Sequence, residues 1–218
     1  MEPSTSSTMF KPNSPTTQKR KLKEGRMTVA VMGRACVGKT AILNQYIHKM
    51  FSDRYVVTVG DKHEKVVNVD GRQIEVEIMD TPGGYCFEYG RRQAVINADV
   101  FVLVYSVEEI LSFQRVLELR ESIFEKRGKQ MPMVIVQMKT DIRKDKWFKD
   151  CESLHGLIPD GLQHPHFQVS AQGGSDMSVI FEEVVRLKLS DAKQPVKERR
   201  CSSLERIQRV LKGQQIWF

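Results

Sequence analysis

The residues Gly33-Arg34-Ala35-Cys36-Val37-Gly38-Lys39-Thr40 have the types and spacing of a loop that holds phosphate: a glycine, four variable positions, then Gly-Lys-Thr. Glycines let successive backbone N–H groups turn inward onto phosphate oxygens, a lysine reaches the β- and γ-phosphates, and a threonine hydroxyl ligates Mg²⁺. A helix opening at Thr40 points the positive end of its dipole at the same anion. A glycine turn that fits the pattern by chance is the plain alternative. The flanks favour the phosphate loop, because residues 28–32 are a β-branched apolar run and residues 41–47 carry apolar side chains at helical spacing.

Further elements must position this loop. A strand is predicted over 62–69, a hairpin turn at Asp70-Gly71, and a return strand over 73–79 that alternates polar with apolar and ends at Asp80. A carboxylate at that strand end can hold the water shell of Mg²⁺ beside a phosphate loop. In the next residues, Thr81-Pro82-Gly83-Gly84, Gly83 either presents its N–H to a γ-phosphate or forms a simple Pro-Gly turn. Residues 99–106 and 133–138 are continuous apolar runs, as in parallel strands covered on both faces, and a helical pattern over 110–125 separates them. A strand at 167–170 and a helix over 177–189 close the domain.

With 218 residues and 40% hydrophobic content, the chain can bury one good core. The net charge of +7 would suggest a nucleic-acid platform if it were evenly spread. Instead residues 1–26 carry +4 and residues 193–218 carry +5, which leaves −2 for 27–192. No specific nucleic-acid partner is expected for the domain itself. The four cysteines, Cys36, Cys86, Cys151 and Cys201, lack metal-ligand or disulfide-framework spacing, and no apolar leader opens the chain, so a reducing, cytoplasmic location is expected.

A phosphate loop, a later D-x-x-G, a K-x-D after an apolar strand and an S-A after the next strand, in that order, resemble a Ras-like small GTPase over residues 27–190. The resemblance implies an α/β phosphate-loop NTPase fold, a six-stranded, mostly parallel sheet with helices on both faces, binding GTP or GDP with Mg²⁺. It implies that the nucleotide is held by Gly33, Ala35, Cys36, Val37, Gly38, Lys39, Thr40 and Ala41, with Phe51 against the guanine ring. Lys139 would pack along the base, Asp141 would accept from guanine N1–H and the 2-amino group, and Ser170 and Ala171 would complete the base pocket. Thr40, Thr58 and Asp80 would hold the metal. Lys39, Thr58 and Gly83 would be the catalytic set that senses and stabilises the γ-phosphate. Because adenine has no donors for Asp141, an ATP-dependent enzyme is disfavoured.

The departures from the family pattern carry expectations of their own. Met138 replaces the asparagine of N-K-x-D, so an amide linking the base pocket to the phosphate loop gives way to a thioether, and Gln172 replaces the lysine of S-A-K. Leaving that amide's partners unsatisfied costs roughly 1–3 kcal/mol, so faster nucleotide exchange is expected. Gly84 stands where the family places the glutamine that orients the attacking water, and Ala35 crowds the phosphate loop. Hydrolysis is therefore expected to be slow unless another group, such as Tyr85 or a partner's residue, substitutes. Val57 and Gly60-Asp61-Lys62 make switch I divergent, so the usual effectors are doubtful partners.

The tails at 1–26 and 193–218 are read as solvated and basic, flanking a domain over 27–192. Gln215 stands where a lipid-anchor cysteine would be, so no prenyl group is expected, and Met1-Glu2 lacks a myristoylation glycine. Leu204, Ile207, Val210 and Leu211 share one helical face with Arg206, Arg209 and Lys212 around them. This suits an anionic membrane surface at the cell periphery, a calmodulin-like groove, or docking back on the domain. The 19–23 basic cluster leaves a nuclear address open, and Ser202 after Arg199-Arg200 fits a basophilic kinase site. The missing anchor and basic tail are similar to unprenylated branches such as the Rad and Gem type or the Rerg type. The expectation is a GTP/GDP switch with effector and regulatory partners at 51–64 and 81–95. The alternative is a pseudo-GTPase acting as a constitutive binding module.

Overall fold

The computed structural model describes residues 26–84, 88–128, 131–149, 151, 152, 154, 158, 162 and 164–191. In chain order they form β1 (Arg26–Gly33), α1 (Lys39–His48), β2 (Asp61–Val69), β3 (Arg72–Asp80), α2 (Glu88–Asn97), β4 (Val100–Ser106), α3 (Ile110–Arg127), β5 (Met133–Met138), β6 (His166–Gln168) and α4 (Ser178–Asp191). The sheet order is β2-β3-β1-β4-β5-β6, parallel throughout except for the β2–β3 hairpin. Asp70 and Gly71 both take positive φ, 51° and 76°, the turn whose twist matches the strands it joins.

Helices cover both faces. On one, Ile42, Leu43 and Tyr46 of α1 and Ile180, Phe181, Val184 and Val185 of α4 pack on Val29, Val31, Val102 and Val136. On the other, Ala94 and Val95 of α2 and Phe113, Val116, Leu119 and Ile123 of α3 pack on Ala30, Met32, Phe101 and Leu103. Every residue of β4 and β5 is consequently buried, which is why both strands read as unbroken apolar runs. The edge strand β2 alternates only near its end, where Val67 and Val69 turn inward.

Three differences from the sequence reading are informative. Helix α2 is not visible as periodicity, because Gly90, two arginines and few apolar residues leave only Ala94 and Val95 to mark its inner face. The last strand lies at His166–Gln168 rather than 167–170, since Ser170 is drawn into a turn by hydrogen bonds from its N–H to Ser175 Oγ (3.0 Å) and from Ser175 N–H to its carbonyl (3.2 Å). Residues 51–60, which read in the sequence as a polar stretch before the second strand, have no regular structure and expose Tyr55, Val56, Val57 and Val59. The readings for the two tails, Tyr85, Cys86 and Cys201 lie outside the described residues, except that Arg26 is already part of β1. Among the described residues, no helix is long and apolar enough to cross a membrane.

Candidate functional site

The site lies where β1, β3, β4, β5 and β6 end, at the carboxyl edge of the sheet, where α/β folds of this kind bind ligands. Gly33 ends β1, Ala35, Cys36 and Val37 form the loop, and Lys39, Thr40 and Ala41 open α1. Cys36 takes φ 63° and Gly38 φ 105°, so consecutive amides of this loop turn to one side. Gly38 caps α1 without a side-chain hydrogen bond, and no acidic residue occupies the first turn, which leaves the helix-start amides to an outside acceptor.

Lys39 is only 6% exposed and its Nζ donates to the Arg34 carbonyl at 2.7 Å. Burial pushes its pKa down to about 8, partly opposed by the nearby Asp80 carboxylate. Thr40 Oγ1 donates to Asp80 Oδ2 at 2.6 Å and lies 3.0 Å from Thr58 Oγ1. Three side chains from α1, the exposed segment and β3, as far as 40 positions apart, therefore meet at one point. Asp80 is buried, and burial raises its pKa against the hydrogen bond from Thr40. Its Oδ1 finds no hydrogen-bond partner among the described residues. A buried carboxylate oxygen left open beside two hydroxyls is a hard-oxygen donor set of the kind Mg²⁺ takes.

Gly83 packs so closely on the loop that a Cβ there would fall 2.4 Å from Ala35 N, so any side chain would force the two segments apart. The neighbouring Gly84 carbonyl accepts from Arg91, a buried residue of α2 that the sequence reading passes over. Thr58 is half-buried, whereas Phe51 stands 42% exposed in the segment after α1.

At the other end, Ser170 Oγ donates to Asp141 Oδ1 and accepts from the Gly173 N–H at 2.8 Å, while Ala171 is buried. The loops after β5 and β6 are joined by Thr140 N–H to the Val169 carbonyl (3.5 Å). Lys139 takes φ 65° and its Nζ reaches Glu108 Oε2 at 2.5 Å. Met138 is buried and its methyl lies against Gly38, where a Cβ would come within 3.0 Å of Met138 Cε. The link from base loop to phosphate loop at this position is thus an apolar contact.

A profile of the Ras family matches residues 28–190. The chain belongs to the Ras family. Relatives include the GTP-binding protein Rhes of Mus musculus, of Rattus norvegicus and of Homo sapiens, each 30% identical over 162 residues. The match covers 70% of this chain and 61% of the relative. In this Ras-family chain the phosphate-loop residues follow β1, Asp80 ends β3, Lys139 and Asp141 follow β5, and Ser170 and Ala171 follow β6, while Phe51 lies in the exposed segment after α1. Arg34, Arg91, Glu108 and Glu109 escape a sequence reading, because their partners lie up to 75 positions away and no motif spacing marks them.

Proposed function

We propose that this protein is a GTP/GDP-binding switch in intracellular signalling with slow intrinsic hydrolysis. The observation that carries this reading is the convergence of Lys39, Thr40, Thr58 and Asp80 beside an uncapped helix start. In it, Lys39 and the loop amides hold the β- and γ-phosphates, while Thr40, Thr58 and Asp80 hold Mg²⁺. Mg²⁺ held by these residues would supply positive charge to the phosphate oxygens. Gly83 offers its N–H toward the γ-phosphate, and Thr58 sits on an exposed segment that can leave when that phosphate is gone. Asp141, oriented by Ser170, selects guanine through its two donors.

Turnover is slow in this reading because Gly84 has no side chain to orient water and its carbonyl is engaged by Arg91. The exposed Tyr55, Val56, Val57 and Val59 give switch I an apolar face, which suits effector proteins with apolar rather than basic surfaces. One observation favours the second reading, a constitutive binding module: the contact between Met138 and Gly38 replaces a polar link with a weaker one.

Titration calorimetry of GDP and GTPγS into nucleotide-stripped protein with Mg²⁺ separates the two. A switch binds at about nanomolar to micromolar Kd, and Lys39→Ala weakens this at least ~100-fold. Absence of binding at about millimolar nucleotide would establish the scaffold.

A further inference from the structure

We infer that Glu108 and Glu109, adjacent on the turn between β4 and α3, are positioning residues that tie the phosphate loop to the base loop and set how long a nucleotide stays. The inference rests on the nucleotide-binding reading above.

The sheet order supplies the geometry. Strand β4 lies between β1 and β5, so the turn that follows β4 stands between the phosphate loop after β1 and the base loop after β5. Its two carboxylates reach in opposite directions. Glu109 pairs with Arg34 of the phosphate loop. Glu108 pairs with Lys139 of the base loop at 2.5 Å. Arg34 is also the residue whose carbonyl accepts from Lys39 Nζ, so fixing it bears on the phosphate-binding ammonium.

The mount is stiff. Ser112, fully buried, donates to the Glu109 carbonyl at 2.6 Å and accepts from Ser106 N–H at 2.9 Å. The Glu108 N–H donates to Ser106 Oγ at 3.3 Å. Val107 accepts from Phe148 N–H at 2.8 Å and donates to the Met138 carbonyl at 3.2 Å, which fastens the turn to the end of β5.

A nucleotide that bridges the two loops would be released more readily when they part. With Met138 giving Gly38 an apolar contact, the cross-link in this chain is carried by the two ion pairs on one turn. Each pair is half-exposed, so each is modest and sensitive to salt.

The test is release of a fluorescent GDP from the full chain with Mg²⁺, at about 0.05 M and about 0.5 M salt. Glu108→Gln and Glu109→Gln keep side-chain volume and leave the turn's backbone hydrogen bonds in place. Each should speed release roughly two- to fivefold at low salt, and the double variant about tenfold, with the differences shrinking at high salt. The melting temperature should stay unchanged. Arg34→Glu should also speed release, and the exchange Arg34→Glu with Glu109→Arg should return it to within about twofold of the parent. Parent-like release from the glutamine variants, or acceleration that persists at high salt without rescue by the exchange, would overturn the inference while leaving nucleotide binding intact. A parent protein that does not hold the fluorescent GDP would overturn both.

Discussion

At the phosphate end of the site, Thr40, Thr58 and Asp80 meet through contacts of 2.6–3.0 Å, and Lys39 donates to the Arg34 carbonyl at 2.7 Å, with Lys39 and Asp80 buried. At the base end, Asp141 and Ser170 are joined, but Met138 offers a methyl group and Lys139 leans on the half-exposed Glu108. The two ends differ in how they fail. Buried polar groups hold or break as a unit, since an orphaned buried charge is expensive. Half-exposed ion pairs and a thioether contact loosen gradually. In the proposed nucleotide-binding reading, a molecule built this way would grip phosphate firmly and let the base end open more readily, favouring exchange over retention.

The comparison can be broken first at Asp141. Asp141→Ala removes the proposed acceptor for both guanine donors and leaves the Ser170 hydroxyl proton without its acceptor, and GDP affinity measured by calorimetry should drop at least ~100-fold. Retention of parent affinity would mean that the base end contributes nothing. Chelating Mg²⁺ tests the opposite end: fluorescent GDP release should accelerate roughly 10- to 100-fold, and Thr40→Ala should be much less responsive to the chelator. A smaller effect is expected for Gly84→Gln, which supplies a water-orienting amide and should raise single-turnover GTP hydrolysis roughly tenfold, the Ala35 methyl group limiting the gain. Met138→Asn sharpens the contrast between the two ends. By restoring an amide beside Gly38 it should slow GDP release roughly five- to tenfold, and an unchanged rate would show that the thioether contact costs nothing.

Much of the fold was legible because burial on two faces and burial on one leave different signatures. Strands β4 and β5 read as apolar runs and β3 as an alternation, and Asp70-Gly71 announces its turn through the backbone that only such a pair adopts comfortably. Helix α2 was not legible, since its inner face is two small residues and a buried arginine. At the site, the phosphate loop was readable because its chemistry is local, carried by eight consecutive residues. The pairing of Arg34 with Glu109 and the packing of Met138 on Gly38 were not, because charge and size at one position say nothing about which distant side chain stands opposite.

The sequence by itself determined the phosphate-loop pattern and the strand ending in Asp80, and through the family resemblance it named Lys139, Asp141, Ser170 and Ala171 as base-side candidates. The loop pattern is legible because it is carried by residue type over consecutive positions. Only the tertiary structure decided that Thr40, Thr58 and Asp80 share one point, that Asp80 keeps an oxygen there with no partner among the described residues, and that the turn after β4 reaches both loops. The physical reason is the order of strands in the sheet, which sets neighbours in space independently of their separation along the chain.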